Sequence, residues 1–225
     1  ARGGYGSQRL VPLLDLEPLV RCPKSIVGYS DATALLTAAL GAGVGAMHGP
    51  MVADDIARGL SPRSQAHLWS LLTDAAYLWA AEVPEAVRPG VASGPLLGGC
   101  LSVLAATLGT PYAPRTAGAI LFLEDVGERP YRLDRLLTQL RQAGVLDEVA
   151  GVVFGTMSTC PRIDGVGPLE VVRSLFADAP YPVGFGLPAG HHTGADSDNL
   201  ALPLGTRVTL DTQRGQLTAL EPAVV

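Results

Sequence analysis

Apolar residues along this chain fall into two rhythms. Short runs flanked by Gly, Pro, Ser or Asp predict strands at 25–29, 44–47, 119–123, 151–154 and 182–185, with two more at 207–210 and 216–220. Between them, apolar positions recur at helical spacing. Leu133, Leu136, Leu137 and Leu140 stand at i, i+3, i+4 and i+7 with Gly144 placed to stop the helix, so 133–143 is the clearest one. Segments 32–40, 64–76 and 168–177 carry the same pattern, the last with Pro168 in its first turn. Such alternation predicts an α/β fold. From Leu202 onward only strand and turn patterns remain, so the second part of the chain has more β character than the first.

The texture changes between Glu82 and Leu97. Val83-Pro84, Arg88-Pro89-Gly90 and Ser93-Gly94-Pro95 crowd turn formers together before Gly98-Gly99 opens another apolar helix. A boundary is expected here, with residues 1–84 as one domain, 85–97 as a linker and 98–225 as a second domain. A composition of 48% hydrophobic and 16% charged residues over 225 positions suits a substantial packed core and excludes disorder. The net charge of −5, with no basic stretch, argues against nucleic acid as a partner. No apolar run reaches membrane-spanning length, so no membrane association is expected. Cys22, Cys100 and Cys160 are odd in number and far apart, which offers neither a disulfide framework nor a metal knuckle. They suit a reducing compartment, and since no charged-then-apolar signal segment opens the sequence, a cytoplasmic location is expected. The chain opens on Ala1-Arg2-Gly3-Gly4 without an initiator Met, so a preceding segment is expected to be missing.

Candidate chemistry begins at Ser30. It follows the apolar run at 25–27 and precedes the helical run at 32–40, with Gly28 and Ala32 two residues to either side. A serine on such a strand-to-helix turn fits a nucleophile elbow, whose small neighbours allow the tight turn. Ser-Asp before an apolar helix is equally an ordinary N-cap. A helix starting at Asp31 would aim free N–H groups at a developing oxyanion. Four histidines exist. His67 sits on a helix as a surface residue, and His48 ends a strand where it can bond a turn. His191 follows the rigid segment Gly186-Leu187-Pro188-Ala189-Gly190, the kind of loop that carries a general base. Glu124 closes the apolar run Ala119-Ile120-Leu121-Phe122-Leu123, where a carboxylate is costly unless paired, and it is the best acid to orient a histidine. Asp125 and then Glu128 compete for that role, and an ion pair with Arg129, Arg132 or Arg135 is the structural alternative. Arg2-Gly3-Gly4-Tyr5-Gly6 lacks the P-loop and dinucleotide patterns and offers instead a close-approach turn with a free N–H. His191-His192 with Asp196 and Asp198 match no defensible zinc spacing.

Taken in order, these segments resemble the LD-carboxypeptidase family of serine peptidases (S66), which also contains microcin C immunity peptidases. The matching pieces are Arg2-Gly-Gly-Tyr-Gly with Arg9-Leu10, Pro23-Lys24, Val27-Gly-Tyr-Ser-Asp31, His48-Gly-Pro-Met51, Gly98-Gly99-x-Leu101 and Gly109-Thr110-Pro111. They continue with Leu123-Glu-Asp-Val126, Glu128, Pro130-Tyr131, Asp134-Arg135, Pro188-x-Gly190-His191 and Leu202-Pro-Leu-Gly205, over essentially the whole chain. The resemblance implies a flavodoxin- or Rossmann-like α/β amino-terminal domain, incomplete here, and a carboxy-terminal domain with a β-barrel-like mixed sheet and helices. It implies Ser30 as nucleophile, Glu124 as acid and His191 as base, with the backbone N–H groups of Asp31 and Gly4 as oxyanion hole. No metal or cofactor is called for. The implied substrate is a small peptide, a murein tetrapeptide losing its terminal D-alanine, and the implied assembly is a homodimer. Peptidyl- or aminoacyl-nucleotide cleavage is the alternative within the fold, and an inactive muropeptide-binding relative is the alternative outside it. The chain departs from the family's Gly-Gly-Asn-Leu at Cys100, which removes an amide from that position.

Overall fold

The computed structural model describes residues 1–192 and 198–224. Two short helices, α1 (Ser7–Leu10) and α2 (Glu17–Arg21), lead into β1 (Ile26–Gly28), helix α3 (Thr33–Gly41) and β2 (Ala46–His48). Helix α4 (Pro62–Thr73) follows, capped by Ser61, whose Oγ accepts the Ser64 N–H while Pro62 occupies the first turn. Next come β3 (Ala80–Glu82), β4 (Glu85–Arg88) and β5 (Val91–Cys100). Helices and strands then alternate through α5 (Leu101–Thr107), β6 (Ile120–Val126), α6 (Pro130–Gln142), β7 (Gly151–Ser158), α7 (Pro168–Leu175) and β8 (Val183–Phe185). The end is strand alone, as its pattern predicts: β9 (Leu202–Leu204), β10 (Arg207–Asp211) and β11 (Gln216–Ala219).

The strands make two sheets. In the smaller, β2 pairs with β1 in parallel and with β9 antiparallel. The larger has the order β3-β11-β10-β5-β6-β7-β8-β4, with β5 through β8 parallel. Its two edge strands, β3 and β4, are joined by only Val83 and Pro84, so the sheet must curl until its edges meet. The expected mixed α/β class with a barrel-like sheet is therefore present. The stretch 85–97, expected as a linker, instead forms β4 and most of β5. Its turn formers serve within the sheet, and Pro89-Gly90 is the turn between those two strands.

Alternation along β6 separates the two cores. Leu121 and Leu123 join Val152, Phe154 and buried leucines of α5 and α6 on one face. Phe122 joins Leu96, Val153, Met47 of β2 and Leu202 of β9 on the other, locking the small sheet onto the large one. His67 is a correction to the expectation of a surface residue. Ser64, His67, Leu68 and Leu71 form one buried stripe of α4, and His67 Nε2 lies 2.8 Å from the Ala201 carbonyl. None of the described helices is long and apolar enough to cross a membrane.

Candidate active site

The chain leaves β1 through Tyr29 in extended conformation and then turns at Ser30, whose φ of 60° lies in the left-handed region. A non-glycine residue there is strained by about 1–3 kcal/mol and is held only by its surroundings. Ser30 opens a single 3-10 turn that runs into α3. Neither element that starts here has a side-chain capping hydrogen bond, so the N-cap alternative for Ser30-Asp31 is not what the geometry shows. Instead Asp31 accepts from both Ser7 N (2.9 Å) and Ser7 Oγ (2.7 Å), which ties α1 and the glycine-rich entry segment against the turn. Thr33, the first residue of α3, accepts from Cys100 N at 3.1 Å. Cys100 lies opposite Glu124 in the β5–β6 register, so the elbow is coupled directly to the sheet that carries the acid.

Glu124 is fully buried. Its Oε2 accepts two hydrogen bonds from one residue, the His191 backbone N–H at 2.9 Å and the ring Nδ1 at 2.7 Å. Gly190 makes that approach possible. Its φ is 115°, and a Cβ there would stand 2.6 Å from Glu124 Oε2. The Tyr29 ring packs edge-on against the imidazole, with centroids 4.8 Å apart, and its hydroxyl donates to buried Asp55 at 3.2 Å. Burial of the His191 ring opposes its protonation. The hydrogen bond and charge of Glu124, reinforced by Asp125 and Asp55, outweigh that effect, so its pKa is raised above the ordinary histidine value.

The rival acids are placed elsewhere. Asp125 points to the opposite face of β6, as its neighbouring position demands. It accepts the Ser102 N–H at 2.8 Å at the start of α5 and its own neighbour's N–H, Val126, at 2.8 Å. It is the external cap of α5. Asp125→Ala is expected to lower stability by about 1–2 kcal/mol, read from denaturant unfolding, while kcat/KM falls by less than about tenfold. Glu128 is held by Arg132, whereas Glu124 is paired with His191 and not with any of the arginines offered as its structural alternative.

Ser30 and His191 line one cleft of about 420 Å³ with Arg2, Gly4, Met51 and Asp54. Gly3 donates its N–H toward Met51 Sδ at 2.7 Å, while the N–H groups of Gly4 and Gly6 have no hydrogen-bond partner among the described residues, and of these two Gly4 lines the cleft. A larger hollow of about 640 Å³, between the α3 flank and residues 111–115, contains no residue of this cluster. His48 is fully buried between Tyr29 and Phe122, and burial lowers its pKa to about 4, so it is neutral near pH 7. His192 Nδ1 approaches Asp55 at 3.4 Å. Asp198 is bonded to Ser61 and Arg63, and Asp196 lies outside the described residues. Among the described residues no group of three or more His, Cys, Asp or Glu side chains is disposed to hold a metal ion. Sequence reasoning missed Tyr29 and Asp55. Only Tyr29's position beside Ser30 could have suggested it.

Ser30 in its strained turn and the carboxylate-bound His191 thus line one cleft. Residues 93–210 match the model of the LD-carboxypeptidase C-terminal domain, and residues 1–49 that of the LD-carboxypeptidase N-terminal domain. The chain belongs to the LD-carboxypeptidase family, S66, and is a peptidase. It is 43% identical over its whole length to a Streptomyces coelicolor protein named provisionally as a carboxypeptidase, covering 71% of that protein. It is 36% identical to the murein tetrapeptide carboxypeptidase of Pseudomonas aeruginosa, over 95% of this chain and 71% of that one. The crystal structure of muramoyltetrapeptide carboxypeptidase from Oxalobacter formigenes superposes with a TM-score of 0.85 at 34% identity, over 96% of this chain and 75% of that one. The microcin C7 self-immunity protein in complex with aspartyl sulfamoyl adenosine superposes with a TM-score of 0.87 at 25% identity, over 99% and 75%.

Proposed function

We propose that this protein is a serine LD-carboxypeptidase that removes the terminal D-alanine from murein tetrapeptides by hydrolysing the amide between an L-configured centre and that residue. The observation that carries this reading is the Glu124–His191 pair at 2.7 Å sharing a cleft with Ser30 in its strained turn. His191, ordered by Glu124, takes the Ser30 proton as Oγ attacks the scissile carbonyl, and Glu124 stabilises the imidazolium that forms. The backbone N–H groups of Asp31 and Gly4 receive the oxyanion. Collapse breaks the C–N bond, and His191 passes the proton to the leaving amine of D-alanine. Water then attacks the acyl-enzyme along the same route and restores Ser30.

The nucleotide-linked substrate of the microcin relative is the competing reading. Trp79, the large ring nearest the double glycine in sequence, is buried in the core against His67 and is not free to stack a base, which favours the peptide. The test is D-alanine release from a free tetrapeptide set against cleavage of an aspartyl sulfamoyl adenosine. Faster release of D-alanine is expected. Preference for the nucleotide, or no turnover together with no labelling of Ser30 by a serine-reactive probe, overturns the proposal.

A further inference from the structure

Strand β7 contains one residue more than the neighbour it pairs with. Leu123 of β6 lies opposite Phe154, but Asp125 lies opposite Met157 and Val126 opposite Ser158. Glu124 therefore faces two residues of β7, Gly155 and Thr156. One extra residue reverses which face the following side chains occupy. Before the bulge, Val152 and Phe154 point into the core beneath α5, α6 and α7, and Val153 points into the opposite core. Without the bulge, Thr156 and Ser158 would follow Phe154 to the helix side. Instead Met157 packs there.

The two hydroxyls consequently turn toward the face that carries Phe122 and Glu124, and both donate to one acceptor, the main-chain carbonyl of His191. Thr156 Oγ1 reaches it at 2.6 Å, closer than the Ala189 carbonyl oxygen at 3.1 Å that competes for its single proton, and Ser158 Oγ donates to the same His191 oxygen. The Thr156 backbone N–H also donates to the Ala189 carbonyl at 2.9 Å. Gly155 lets the loop come this close, since a Cβ on it would stand 2.4 Å from the Ala189 carbonyl oxygen. A carbonyl oxygen has two lone pairs, so two hydroxyl donors saturate it. The His191 peptide is then fixed from both ends, by Glu124 at its N–H and by the β7 hydroxyls at its carbonyl.

We propose that Thr156 and Ser158 are positioning residues for His191, set on its carbonyl by the β7 bulge so that the imidazole keeps its height and pitch between Glu124 and Ser30. This rests on the proposed role of His191 as general base. The χ angles of a histidine leave its ring free to swing about the backbone, and an error of about 1 Å in a reacting group can lower the rate about 100-fold. A backbone held at three points removes most of that error before the ring torsions are set.

The test compares Thr156→Val, Ser158→Ala and the double variant with Thr156→Ser and His191→Gln, measuring kcat and KM for D-alanine release and the low-field Nδ1 proton resonance of His191. The double variant is expected to lose about 100-fold in kcat with KM within about twofold. Its Nδ1 resonance should broaden or move, and Thr156→Ser should stay near the parent. A double variant within about threefold of the parent kcat, or a Thr156→Ser loss as large as that of Thr156→Val, overturns the proposal. If the double variant does not fold, the single variants are judged by the same criteria. Parental kcat in the clamp variants beside an inactive His191→Gln removes the clamp alone. Turnover by His191→Gln removes the base assignment itself.

Discussion

Ser30→Ala is expected to abolish D-alanine release, with kcat down by about 10⁶, to the level of the remaining oxyanion donors and binding contacts. Substrate binding should survive, because the cleft keeps Arg2, Met51, Asp54 and His191. A second variant at the same position separates chemistry from architecture. At φ 60° the parent side chain stores about 1–3 kcal/mol of backbone strain, and glycine releases it. Glycine also loses about 0.4–1 kcal/mol through the greater freedom of its unfolded chain. The first quantity is the larger, so Ser30→Gly should melt at or above the parent temperature and be equally inactive. A Ser30→Ala protein that still turns over, or a Ser30→Gly protein that is markedly destabilised, would show that the strained turn is not a nucleophile elbow. Thermal unfolding and D-alanine release measured on the same preparations decide both points.

What the sequence reveals of this fold depends on how local each determinant is. Ser30, Glu124 and His191 stand out because each follows an apolar run or a rigid turn within a few residues, and a strand end is where α/β proteins present chemistry. The helix stripe of α6 is visible for the same reason. Strand β5 is hidden because it is central yet carries Gly94, Pro95, Gly98 and Gly99, residues that locally signal turns and are tolerated only because neighbouring strands crowd against it. Strand β7 reads as ending at Phe154 in sequence, since the bulge at Gly155–Thr156 breaks the alternation, although the pairing continues to Ser158. His67 shows how a polar residue hides a stripe, since it shares the spacing of Leu68 and Leu71 and is satisfied by partners ten and more than a hundred residues away. Tyr29 and Asp55 meet across the turn after β2, and no periodicity connects them. The choice between Glu124 and Asp125 was open in sequence because adjacent strand residues differ only in the face they take.

That choice has the second-largest expected consequence. Glu124→Gln keeps the shape of the side chain but replaces the acceptor that fixes both His191 N–H groups, and kcat should fall by about 10³–10⁴ as the imidazole loses its tautomer and its countercharge. The pH profile carries an independent signature. The base must be neutral to act, so kcat/KM of the parent rises with pH through the His191 pKa. Because Glu124, Asp125 and Asp55 hold that pKa up against burial, the acid limb should lie above that of an ordinary histidine. Removing the Glu124 charge weakens the charge-assisted hydrogen bond to a neutral one and deletes the leading electrostatic contribution that favours the imidazolium, while burial of the ring, which disfavours it, is unchanged. The limb of Glu124→Gln must therefore move to lower pH as its plateau falls. Asp125→Ala, which removes a smaller contribution of the same sign, should lower the limb less than Glu124→Gln does and report its main loss in unfolding. A Glu124→Gln profile that keeps the parental limb, or that moves it upward, would mean that the titrating group is not His191 under the control of Glu124.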